Sequence, residues 1–134
     1  MYNSITLKQC ADLIAAVGDQ QTVLVQGEMG IGKSAILKML KSYPQFKDAY
    51  FCYVDITTKD VGDFIVPKIR TIDGNEVCSF IPNEEFGFHF KGKKVVMMLD
   101  EIGKARGGVL NACLRLMNEK ALGTNVLDGV VFGT

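Results

Sequence analysis

Residues Gly27-Glu28-Met29-Gly30-Ile31-Gly32-Lys33-Ser34 fit the pattern G-x-x-x-x-G-K-[ST] in full. That pattern constrains a fold when it joins a strand to a helix, and the flanking residues supply that context. Upstream, Thr22-Val23-Leu24-Val25-Gln26 is β-branched and apolar, which predicts a strand buried on both faces of a parallel sheet. Downstream, Ile36, Leu37, Met39 and Leu40 alternate with Lys38 and Lys41, which predicts a helix from Lys33 to Ser42 that Pro44 brings to an end. The chemistry follows from the residue types. Glycines at 27, 30 and 32 let backbone N–H groups curl around a polyphosphate, because side chains there would obstruct the approach. Glu28, Met29 and Ile31 contribute backbone to the same loop, and Ala35 lies next to it in the helix. Lys33 brings a full positive charge to the β and γ phosphates, and Ser34 offers a hydroxyl to Mg²⁺.

The rest of the chain extends the strand–helix alternation. Leu7, Cys10, Ala11, Leu13, Ile14 and Val17 recur at helical spacing behind Ser4 or Thr6 as N-cap, with Gly18 as C-cap. Ala49–Ile56 reads as a second strand and Val95–Leu99 as a third, buried one. Val109, Ala112, Cys113, Leu116 and Met117 fall on one face of a helix that ends at Glu119, and Val130–Phe132 is a fourth strand. Between the second and third strands, Lys68–Ile72 and Asn75–Ile81 flank an Asp73-Gly74 step, a strong signal for a hairpin spanning about residues 66–82. The expected fold is therefore α/β: a three-layer α/β/α arrangement around a mainly parallel central sheet, with a short β-hairpin inserted. With 134 residues, one domain is expected.

Charge and composition exclude several alternatives. Fifteen Lys and Arg balance fifteen Asp and Glu, so the basic footprint of a small nucleic-acid module is missing and nucleic acid is not an expected partner. No apolar run approaches the roughly 20 residues that a membrane-spanning helix requires. The first residues lack the features of a secretory leader, which predicts a cytoplasmic protein. Cys10, Cys52, Cys78 and Cys113 stand apart, each among apolar neighbours, and read as small reduced core residues rather than as a metal or redox site.

A phosphate loop of this type works with a carboxylate at the end of a neighbouring buried strand. Asp100-Glu101, directly after Val95-Val96-Met97-Met98-Leu99, occupies that place. Asp100 is the expected holder of Mg²⁺, through the water shell of the ion, together with Ser34. Glu101 is the expected general base, one residue further on, able to orient or deprotonate the attacking water.

Taken together, these residues resemble the AAA+ ATPases, and within them the MoxR-like or dynein-related branch. The specific likeness lies in Asp100-Glu101-Ile102, Lys104, the run Val109-Leu110-Asn111-Ala112-Cys113-Leu114-Arg115-Leu116-Met117-Asn118-Glu119-Lys120, and Leu127-Asp128-Gly129 ahead of Val130-Val131-Phe132. Asp60–Ile65 looks like the segment that lies near the central pore in that branch. The sequence departs from the family at Lys104, where Arg is usual, and at Arg106-Gly107-Gly108, where prolines are common. The resemblance implies binding and hydrolysis of ATP with Mg²⁺, catalysed by Glu101 and Lys33, in a chaperone-like remodeller of partner proteins. It also implies a homo-oligomeric ring, a hexamer when complete, acting on a protein substrate or adaptor. The setting would be the cytoplasm of a bacterium, or of the host when the protein is a phage's. The fourth strand is expected between the strand before the phosphate loop and the strand before Asp100. The first sensor residue is expected at about Thr134, and the arginine finger and helical lid beyond it, so these residues are expected to form only the first part of the module.

Two other readings fit the same residues: a module that binds nucleotide without turnover, and a P-loop kinase or NTPase outside the AAA+ group. Minor features carry simpler expectations. His89 is expected at an exposed position on an alternating strand, and Glu84-Glu85 as solvated loop charge. Arg115 and Lys120 lie on an exposed helix face or approach a neighbouring subunit's nucleotide. Phe64 and the hairpin are candidates to touch a remodelled substrate.

Overall fold

The computed structural model describes residues 5–27 and 32–134. Helix α1 (Leu7–Val17) begins at Thr6, whose hydroxyl accepts from the Gln9 amide while the Gln9 side chain accepts from the Thr6 amide. This reciprocal cap satisfies two amides that the first turn would leave unpaired. Strand β1 (Val23–Leu24) leads toward the glycine-rich segment, and helix α2 (Ala35–Leu40) follows it. Strand β2 (Tyr50–Asp55), the hairpin strands β3 (Ile65–Ile72) and β4 (Asn75–Pro82), and strand β5 (Val95–Asp100) come next. Helix α3 (Gly107–Glu119), a small hairpin of β6 (Ala121–Leu122) and β7 (Asn125–Val126), and strand β8 (Gly129–Gly133) complete the described chain.

The protein is α/β, with a four-stranded parallel sheet in the order β1-β8-β5-β2. The last strand thus lies between β1 and β5, where the family resemblance puts it. Helices cover both faces. On one, α1 and α2 enclose Ile14, Ile36, Leu40, Val96, Met98, Val130 and Phe132. On the other, α3 and the turns around Phe64 and Phe86 enclose Val54, Met97, Leu99, Leu116 and Val131. Strand β5 is buried along Val95–Leu99, as its apolar run predicts. Because all four strands are parallel, Gly27, Asp55, Asp100 and Thr134 emerge at one edge of the sheet.

Several expectations need correction. Strand β1 is shorter than predicted and is not buried on both faces: among the described strands it stands at one edge of the sheet, and Leu24 is 50% exposed. The α-helix after the phosphate loop runs only from Ala35 to Leu40. Tighter turns continue it at both ends, with Ala35 N–H donating to Gly32 O and Tyr43 N–H to Leu40 O. Pro44 holds Tyr43 in an extended conformation, which stops the coil there. His89 is exposed but lies on no strand, because a 3₁₀ turn at Glu84–Phe86 and a left-handed Gly87 break the alternation. Glu85 is not simply solvated, since it pairs with Lys59 at 2.5 Å. Phe64 is fully buried and stacks on Phe86 at 5.3 Å, so it is a core residue and not one that meets a substrate. Cys78 is exposed on β4, while the other three cysteines are buried.

The hairpin forms as its turn residues predict. Asp73 and Gly74 both have positive φ, 53° and 79°, which matches the right-handed twist of the flanking strands. The β6–β7 hairpin has no counterpart in the sequence pattern, since two-residue strands leave no periodicity. Helix α3 presents Cys113, Leu116 and Met117 inward and Leu114 outward, 45% exposed. Leu116→Ala should lower the unfolding free energy by about 2–5 kcal/mol in urea titrations, because it leaves a cavity under the sheet. Leu114→Ala should change it by less than about 0.5 kcal/mol.

Candidate functional site at the carboxyl edge of the sheet

The site is built on where β1, β8 and β5 stop. Val25 N–H donates to Gly133 O at 2.8 Å, and Thr134 N–H to Leu99 O at 3.0 Å. Thr134 therefore stands between the end of β1 and the end of β5. Alternation along β5 puts Val96, Met98 and Asp100 on the face that α1 and α2 cover. The same alternation on β8 places Val130, Phe132 and Thr134 there.

The glycine-rich segment is described at its two ends. Gly27 carries the chain off β1. Gly32 has φ +81°, a left-handed conformation that a side chain would strain, and it turns the chain into Lys33, Ser34 and Ala35. The Lys33 ammonium donates to Gly27 O at 3.3 Å, which ties the ends of the loop together. The Ser34 hydroxyl makes no capping bond to α2 and is exposed. Glu28, Met29, Gly30 and Ile31, the other residues expected to bind nucleotide, lie outside the described residues.

Asp100 is half-buried, and each of its carboxylate oxygens accepts a hydroxyl. Thr134 donates to Oδ1, and Tyr53 donates to Oδ2 at 2.5 Å. Burial pushes the Asp100 carboxyl upward. The bonds from Thr134 and Tyr53 and the nearby charge of Lys33 outweigh it and hold the group below its ordinary value. The same contact, with burial and the surrounding carboxylates, pushes the Tyr53 phenol up to about 12, so it stays a donor at neutral pH. The charge of Lys33, remote in sequence, thus bears on Asp100 at one sheet edge.

Glu101 follows in a left-handed conformation, φ 65°. Its carboxylate lies 3.7 Å from the Lys104 ammonium. Asp100 and the Ser34 hydroxyl are hard oxygen donors, a chemistry that suits Mg²⁺ bound beside phosphate oxygens rather than in an all-protein cage.

Other candidates lie elsewhere. Arg115 pairs along α3 with Glu119 at 2.9 Å. Lys120 donates to Asp19 O at 2.6 Å, ahead of β1 and so at the opposite edge of the sheet. Val61, in the Asp60–Ile65 segment, is 51% exposed and lies against Gly108 at the start of α3.

Sequence pattern points neither to Tyr53 nor to the contact between Thr134 and Asp100. Tyr53 gives no motif signal: only the pairing of β2 with β5, which aligns Tyr53 with Met98, puts it on the face of Asp100. The family resemblance puts Thr134 near the site, but its bond to Asp100 follows only from the insertion of β8 between β1 and β5.

No protein-family model matches the chain, and a search of curated proteins also finds no match. No helix among the described residues is long and apolar enough to cross a membrane.

A carboxylate held below its ordinary value favours the folded state above the unfolded pKa of about 3.9, and that contribution is lost as pH falls through the folded value. Asp100→Asn should therefore flatten the loss of stability below about pH 4, measured as the urea midpoint at pH 7, 4 and 3. Equal acid sensitivity in the two proteins would show that Asp100 is not held charged by its neighbours.

Proposed function

We propose that the protein binds ATP with Mg²⁺ and hydrolyses it as a P-loop ATPase of the AAA+, MoxR-like type, acting in a ring on partner proteins. The observation that carries the reading is the meeting of two sequence-distant elements at the carboxyl edge of one parallel sheet. Gly27 leads off β1 and lies in contact with Lys33, and Asp100, held charged, ends β5 within the electrostatic reach of Lys33. The strand order β1-β8-β5-β2 also supports this choice among the α/β folds.

In this reading the backbone of the loop wraps the phosphates. Lys33 leaves its contact with Gly27 O for the β and γ phosphate oxygens. Ser34 and Asp100 would hold Mg²⁺, which when bound would supply positive charge beside the phosphates. Glu101 accepts a proton from the attacking water.

A second reading, nucleotide binding without turnover, draws support from the Glu101–Lys104 pair at 3.7 Å, which engages the carboxylate expected to act as base. One set of measurements separates the two. Lys33→Ala should weaken binding of a fluorescent ATP analogue at least about tenfold, the loss of hydrogen bonds to a charged group. Glu101→Gln should keep binding and lower phosphate release about 100-fold or more. Binding without phosphate release in the unaltered protein favours the second reading. Unchanged binding in Lys33→Ala removes both.

A further inference from the structure

Tyr53 belongs to no nucleotide-binding pattern, yet it touches the carboxylate on which the cation site depends. It lies on β2, level with Met98 and two residues short of Asp100 on the neighbouring strand, and its hydroxyl reaches forward to Asp100 Oδ2 at 2.5 Å. Thr134 donates to the other oxygen from β8 on the opposite side. Strands on both sides of β5 thus fix a single carboxylate, and each oxygen already accepts one hydroxyl hydrogen.

That arrangement has a consequence for the kind of cation accepted. Ca²⁺ commonly takes a carboxylate through both oxygens in direct contact, whereas Mg²⁺ sheds its waters reluctantly and keeps several of them. Two hydroxyl hydrogens directed at the oxygens withdraw electron density and oppose direct chelation. The remaining lone pairs still accept hydrogen bonds from water. Resting on the nucleotide-binding reading above, we propose that Tyr53 is a positioning residue that sets cation preference: with Thr134 it holds Asp100 to receive hydrated Mg²⁺ through its waters and disfavours direct chelation of Ca²⁺.

Tyr53 is 47% exposed, so Tyr53→Phe removes one oxygen without opening the core. The test titrates Mg²⁺, and separately Ca²⁺, into protein with a fluorescent ADP, reading the cation concentration at half-maximal change and the nucleotide affinity in EDTA. Tyr53→Phe should raise the Mg²⁺ midpoint about tenfold, the lower end of what losing an outer-shell partner costs a metal site. Its Ca²⁺ midpoint should fall or stay within about twofold, because the freed Asp100 oxygen no longer opposes direct chelation, and its affinity in EDTA should stay within about twofold, because Tyr53 touches the carboxylate that receives the cation. Thr134→Val, which removes the other hydroxyl, should shift the Mg²⁺ midpoint in the same direction. An unchanged Mg²⁺ midpoint in Tyr53→Phe, or an equal rise for both cations, overturns the proposal while leaving nucleotide binding intact. If the unaltered protein binds no nucleotide at any Mg²⁺ concentration, the underlying reading falls and this one falls with it.

Discussion

Everything at the candidate site depends on the hydrogen bonding of β8 to strands on both sides. On one side Gly133 O accepts from Val25, and on the other Thr134 N–H donates to Leu99. These bonds align the end of the strand before the glycine-rich loop with the end of the strand before Asp100. They also bring the Thr134 hydroxyl against the carboxylate. Val130, Val131 and Phe132 are each almost fully buried, so the strand is anchored by apolar contacts on both faces as well as by its backbone. A parallel sheet suits this role, because every strand ends at the same edge and short-range polar groups from several strands can converge there.

Electrostatics at that edge are local and balanced. Asp100 is charged because two hydroxyls and a lysine outweigh the cost of partial burial. Tyr53 remains protonated for the converse reason: its proton is shared with a carboxylate that prefers to be charged. Glu101, one residue beyond, escapes this arrangement because its left-handed backbone turns the chain out of the strand, and Lys104 lies close by. Two adjacent carboxylates thereby acquire different surroundings.

Much of this was legible in the sequence. The five apolar residues before Asp100 predict a buried strand, Asp73-Gly74 predicts the hairpin turn, and the apolar face of α3 follows from its spacing. Reading failed where tertiary position overrides local pattern. Thr22–Gln26 looks like an interior strand, yet it lies at the sheet edge with Leu24 half-exposed. Phe64 is a sequence candidate for meeting a remodelled substrate, yet its ring fills the core beside Phe86. His89 seemed to alternate with phenylalanines, but Gly87 bends the chain before a strand can form. Tyr53 could not be found because its role depends on which strand lies beside β2 and in what register.

The order of the strands in the sheet differs from their order along the chain, and this bears on synthesis. Val23 pairs with Phe132, while Ile72 pairs with Asn75 across a two-residue turn. A chain growing from its amino end can close the hairpin almost as soon as it is made. It carries Gly27 and Asp100 well before it carries Gly129–Gly133. Until β8 is made, β1 lacks the strand it pairs with among the described residues, and the backbone hydrogen bonds that β8 makes to both halves of the site are missing.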